Sequence, residues 1–210
     1  LPELESFYGA LQKELKVEIL HHLKIDRFFP DLDAAKLWDE KSDLPGFKDY
    51  LDLTPIEQLS EEVRPSLGAG RVNGGGYVDL EILLNSFRAR LMKEDQIIEE
   101  VFDASHLAFT EEGVSYKGLH FRHVIFCLGY RNLENPWFKD LPFLTTKGEV
   151  LTIKSEELPY DSVMNVGRFL LPIGNGFFRL GATYDWHTLD SSLTTEAREL
   201  LLTKADRLLY

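Results

Sequence analysis

The stretch His123-Val124-Ile125-Phe126-Cys127-Leu128-Gly129 decides how the rest of this chain is arranged. Its five consecutive apolar residues, Val124 to Leu128, run between a polar residue and a glycine. A run this short, bounded this way, predicts a strand covered on both faces. Gly129 has no Cβ, so the backbone there can bend sharply or approach a ligand closely. A glycine that simply closes a core strand is the competing reading. Cys127 sits inside the apolar run with no adjacent base to activate it, which argues against a nucleophile.

Upstream, Asp79 caps a helix with Leu80, Leu83, Leu84, Phe87 and Leu91 on one face. Ile97-Ile98 and Val101-Phe102 mark a strand region, and 107–110, 113–117 and 119–121 read as short antiparallel strands joined by tight turns. Downstream, 148–154 is a strand with Val150, Leu151 and Ile153 as its apolar residues. Residues 169–173 and 177–182 flank Gly174-Asn175-Gly176, a strong hairpin signal. Thr194 or Thr195 opens a last helix carrying Ala197, Leu200, Leu201, Ala205, Leu208 and Leu209.

Near the start, Leu4, Phe7, Tyr8, Leu11 and Leu15 fall at helical spacing. From Val17 to Ile25 the pattern alternates, which predicts a half-buried strand rather than a continued helix. Asp31 or Asp33 caps a helix to about residue 41, Leu44-Pro45 breaks it, and a short helical piece follows over 47–51. Thr54-Pro55-Ile56-Glu57 has the residues of a further helix start. The glycine-rich segment from Gly68 to Gly76 invites a dinucleotide reading because a helix follows it. The fingerprint needs G-x-G-x-x-G between a buried strand and a helix. Here Asn73 stands in the third glycine position and 61–65 make no buried strand, so an irregular connection is expected.

Composition narrows the function classes. The chain has 210 residues, 44% of them apolar, enough for one core or two small lobes. A formal net charge of −12 repels phosphate backbones and excludes nucleic acid as the expected partner. No apolar run is long enough to span a bilayer, and no signal peptide is present. A single cysteine rules out an internal disulfide and suits a reducing, cytoplasmic setting. His120 and His123 stand three apart on expected strands and so point to opposite faces, His21 and His22 diverge, and the sequence has no Cys/His constellation or G-x-S-x-G elbow. Metal and serine-nucleophile chemistry are therefore not expected.

Three motifs in one order carry a family resemblance. Gly76-Tyr77-Val78-Asp79 opens a helix, a strand ends in Cys127-Leu128-Gly129, and Lys147-Gly148-Glu149-Val150 starts another strand. Leu171-Pro172 and Leu180-Gly181-Ala182-Thr183 follow. Together these resemble the FAD-dependent oxidoreductases of the D-amino-acid oxidase superfamily, nearest in pattern to glycine and sarcosine oxidases. The resemblance implies an α+β fold: a mixed, mostly antiparallel sheet with flanking helices, the substrate lobe, plus part of a Rossmann-type FAD lobe. It assigns 1–76 and 140–210 to the substrate lobe and 77–139 to the FAD lobe. It implies FAD as cofactor, a small amine or amino acid as substrate, and hydride transfer to the flavin.

By the same resemblance, Val101, Cys127, Leu128, Gly129, Lys147, Gly148 and Glu149 lie near the cofactor, and Phe169 and Tyr184 line the substrate pocket. The competing readings are a core valine at 101, an exposed charge pair at 147 and 149, and core aromatics at 169 and 184. The family's N-terminal G-x-G-x-x-G and its C-terminal segment with a carboxylate-binding arginine find no match here. The expectation is an interior piece that holds FAD weakly by itself and tends to self-associate through uncovered apolar surface. A non-catalytic ligand- or protein-binding domain is the alternative.

Overall fold

The computed structural model describes residues 2–54, 67–158, 161–165 and 167–205. Helix α1 (Pro2–Leu15) stops where Lys16 turns left-handed at φ 57°. The N–H of Val17 then reaches back to the carbonyl of Gln12, 3.2 Å away, closing the helix end. The Gln12 side chain accepts from the N–H groups of Ile19 and Leu20, at 2.9 and 3.1 Å, and steers the chain into an extended path. Two strands, β1 (Leu20–His22) and β2 (Lys24–Phe28), take the place of the single strand expected over 17–25, and they pair in different sheets. Asp31 caps α2 (Leu32–Ser42), its carboxylate accepting from the Ala34 N–H at 2.8 Å. Residues 47–50 form turns rather than the expected short helix, and the Leu51 N–H to Phe47 carbonyl bond of 2.9 Å leads directly into β3 (Leu51–Thr54). The expected helix start at Thr54 falls largely on residues outside those described.

The glycine-rich segment is more regular than expected: β4 (Ala69–Val72), a turn, and β5 (Gly76–Val78). A Cβ on Gly70 would lie 2.0 Å from Cε2 of Trp38, so this glycine admits the α2 indole against the sheet. Asp79 caps α3 (Leu80–Lys93) by accepting from the Ile82 N–H at 3.0 Å. Strands β6 (Leu107–Thr110), β7 (Gly113–Tyr116) and β8 (Leu119–Phe121) form a three-stranded antiparallel meander.

The main sheet has seven strands in the order β3-β4-β2-β10-β11-β12-β9, with β9 (Val150–Lys154), β10 (Ser162–Asn165), β11 (Phe169–Gly174) and β12 (Phe177–Gly181). Only β2 and β10 pair parallel; the other neighbours run antiparallel. β1 and β5 pair separately. Leu170 faces Leu180 across the β11–β12 hairpin, and Pro172 faces Phe178. Leu170, Phe178 and Leu180, with Phe28, Ala69, Leu158, Met164 and the α4 (Thr195–Ala205) residues Leu201 and Ala205, make the core. The hairpin turns through Gly174, Asn175 and Gly176, at φ 90°, 54° and 79°, values that glycine and asparagine tolerate. No described helix is long and apolar enough to cross a membrane.

Two expectations fail for one reason. Residues 123–128 pair with no strand among the described residues, and 97–102 form no strand either. In 124–128 burial alternates: Val124, Phe126 and Leu128 are half-buried, whereas Cys127 is exposed and Ile125 is 84% exposed. A continuous apolar run is covered on both faces only when neighbouring strands flank it. Here one face alone is packed, with the Phe126 ring against Trp137, Phe138 and Phe102 at centroid distances of 5.3, 5.6 and 6.0 Å.

Candidate functional site

At one end of the main sheet, the segment entering β9 meets the segment leaving β12. Lys147 and Asp185 exchange both backbone N–H···O bonds, each 2.8 Å. The Thr183 N–H donates to the Glu149 carbonyl at 3.0 Å, and the Glu149 N–H donates to the Thr183 hydroxyl at 2.9 Å. Gly148 lies between, where a Cβ would sit 3.2 Å from the Thr183 carbonyl oxygen. Side chains extend the contact. Lys147 Nζ donates to Asp190 Oδ1 at 2.8 Å and lies 3.7 Å from Glu149 Oε1. The Glu149 carboxylate accepts from the Thr194 N–H and hydroxyl, both at 2.9 Å, and the Thr194 hydroxyl accepts from Ala197 N–H at 3.2 Å, capping α4.

The Lys147 and Glu149 side chains are 9% and 11% exposed, so they are not the solvated pair that the competing reading expects. The Lys147 ammonium, with the Ser192 hydroxyl and N–H behind it, holds the Asp190 carboxyl at about 2. Asp190 in turn raises Lys147 above its ordinary value. Glu149 is lowered, first by the Thr194 N–H.

The predicted substrate residues lie at the same end. Phe169 opens β11 and pairs with Gly181, where a Cβ would come 2.9 Å from Phe169 Cζ. Phe169 is half-buried, and Tyr184 is 60% exposed beside Trp186 at 62%. The two exposed rings stack with centroids 6.2 Å apart and planes 20° from parallel, and the Arg168 guanidinium lies 5.5 Å from the Tyr184 centroid. Five predicted residues, Lys147, Gly148, Glu149, Phe169 and Tyr184, thus share one end of one sheet. The sequence reading missed Arg168, Asp190 and Thr194 as members of this group. Arg168 directly precedes Phe169, but no local pattern places it over a ring sixteen positions on.

Val101, Cys127, Leu128 and Gly129 collect elsewhere. Val101 is 89% exposed, not a core valine, and its neighbour Phe102 packs on Phe126, next to Cys127. The Cys127 thiol is free and exposed. Gly129 opens a 3-10 helix (Gly129–Glu134) at φ 55°, with open space where a Cβ would stand. Its glycine therefore serves backbone conformation, and no described residue comes within 4 Å of where its Cβ would be. The described residues hold no glycine-rich strand–turn–helix cradle for a pyrophosphate, because 68–76 is built as paired strands and a turn. They also hold no group of three or more metal-ligating side chains.

No family model matches the sequence. Among solved structures, the fold is similar to that of several oxidases and a dehydrogenase. Glycine oxidase from Geobacillus kaustophilus superposes with a TM-score of 0.76 at 16% identity, covering 98% of this chain and 60% of that one. Iminodiacetate oxidase from Chelativorans sp. BNC1 gives 0.69 at 16%, covering 95% and 60%. L-α-glycerophosphate oxidase from Mycoplasma pneumoniae, solved with FAD bound, gives 0.66 at 14%, covering 98% and 64%. The chain thus spans about 60% of the length of these neighbours. The α+β architecture expected from the motifs is the one observed.

Proposed function

We propose that this chain forms the substrate lobe and part of the FAD lobe of a flavin-dependent oxidoreductase acting on a small amine or amino acid. The fold match over 98% of the chain carries this reading. The lobes divide as 1–76 with 140–210, and 77–139. The grouping of Phe169, Tyr184 and Trp186 at one end of the sheet supports a substrate wall there. Bound FAD supplies a hydride acceptor for oxidation of a C–N bond next to hydrogen. The chain's own contribution is placement: Phe169, Tyr184 and Trp186 offer apolar faces that orient a small substrate and exclude water. The open backbone of Cys127, Leu128 and Gly129, with Val101, offers contact to the dinucleotide.

The test uses the protein expressed from its full-length gene. Purified protein should show flavin absorbance that bleaches on anaerobic addition of one member of a panel of glycine, N-methylglycine, iminodiacetate and proline. A colourless protein that takes up no added FAD overturns the reading. It would favour a non-catalytic binding domain, a reading supported by the lack of a phosphate cradle among the described residues.

A further inference from the structure

The strap from Thr183 to Thr194 carries Tyr184, Trp186 and His187, yet apart from one bridge residue it belongs to no strand or helix. A segment without its own ladder holds a fixed shape only through its anchors. Its anchors converge on two residues. Glu149 takes the first point, Thr183, through two bonds along the backbone, and the last point, Thr194, through its carboxylate. Lys147 takes Asp185 through paired backbone bonds and Asp190 through its ammonium. The Asp185 carboxylate is used locally, accepting from the His187 and Thr188 N–H groups at 2.8 and 3.3 Å, which shapes the turn beneath Trp186.

We infer that Lys147 and Glu149 are positioning residues: their side chains clasp the strap and thereby set the place of the Tyr184–Trp186 plate. The side chains are therefore committed within the chain, and so are the backbone N–H and carbonyl groups of both residues, which leaves Gly148 for any cofactor contact at 147–149. An ammonium this enclosed, shared between Asp190 and Glu149, cannot be removed without leaving two carboxylates facing each other. A network in which each member has a partner is stiff, and it loosens when one member is lost.

The clasp itself is tested on this chain by 19F NMR after 5-fluorotryptophan labelling. The chain has three tryptophans, and Trp186 is assigned with Trp186→Phe. Lys147→Met should move the Trp186 resonance toward the free-indole shift and sharpen it, while Trp38 and Trp137 stay in place. Asp190→Asn, on a half-exposed partner that tolerates substitution, should do the same, and Lys147→Asp with Asp190→Lys should restore the native signal. A Trp186 resonance unmoved in Asp190→Asn and Lys147→Met overturns the inference.

The consequence for turnover rests on the flavoprotein reading and is measured separately in the full-length holoprotein. There Lys147→Met should raise KM about ten-fold with kcat and flavin absorbance nearly unchanged, the signature of lost placement rather than lost chemistry. Loss of FAD affinity with an unmoved Trp186 signal would show a cofactor contact instead and overturn the inference. A moved Trp186 signal in a protein that binds no flavin supports the clasp and overturns the functional reading alone.

Discussion

Arg71 and Asp26 show what single side chains do in this sheet. They sit opposite each other on β4 and β2, with Nε to Oδ1 at 2.7 Å and Nη2 to Oδ2 at 2.9 Å. The fork-to-fork hydrogen bonds to Asp26 raise Arg71 above its ordinary value and outweigh burial, which lowers it. Arg71→Met should destabilise the chain by about 3–5 kcal/mol, because a buried carboxylate loses its cation. Urea unfolding measures this, and Arg71→Met combined with Asp26→Leu should recover much of the loss. Asp190 makes a different prediction. Its folded value of about 2 lies below its ordinary 3.8, so the folded state favours the carboxylate. The stabilisation is complete above about pH 4 and is lost as pH falls toward 2. A carboxyl titration followed by NMR should place the Asp190 midpoint near 2 in native chain and move it upward, short of its ordinary value, after Lys147→Met, because the Ser192 hydroxyl and N–H remain.

At the scale of elements, helix α4 depends on its first residue. Thr194 caps it through the Ala197 N–H and is itself held by Glu149, so one hydroxyl joins the helix to the strap and to β9. Thr194→Ala should lower stability by about 1–2 kcal/mol, while Thr194→Ser keeps both bonds and stays near wild type. Thermal unfolding of the pair checks this, and equal losses in both would point to the methyl group rather than the cap. The same element shows why helix and hairpin positions are legible locally. Thr194, Asp31 and Asp79 bond N–H groups three residues away, and Gly174-Asn175-Gly176 satisfies a local backbone demand. The clasp was not legible, because Lys147 meets Asp190 across forty-three residues.

For the whole molecule, the accessible surface is 15170 Å², against roughly 10,000 Å² for a compact monomer of this mass by the usual scaling. Helix α3 contributes to the excess: none of its residues is buried, and Leu84 is 65% exposed. Leu80 beside it, Phe7 on α1, and Val101, Ile125 and Leu144 are likewise uncovered. Apolar surface of this extent drives association. The isolated chain should therefore sediment as a concentration-dependent mixture, and Leu84→Glu should shift it toward monomer. A single monomeric species at high concentration would contradict this.

The sequence by itself determined the starts of α2, α3 and α4, the β11–β12 hairpin and the strands β6 to β8, because caps, turns and alternation are short-range demands on neighbouring residues. The α+β class came with the motif order on which the family resemblance rests. Only the tertiary structure decided that Val124 to Leu128 packs on one face alone, that Gly70 yields to Trp38, and that Lys147 and Glu149 hold the strap beneath Tyr184 and Trp186. Burial and pairing depend on what other segments bring to a residue, and a run of apolar letters states a preference for cover without supplying the strand that provides it.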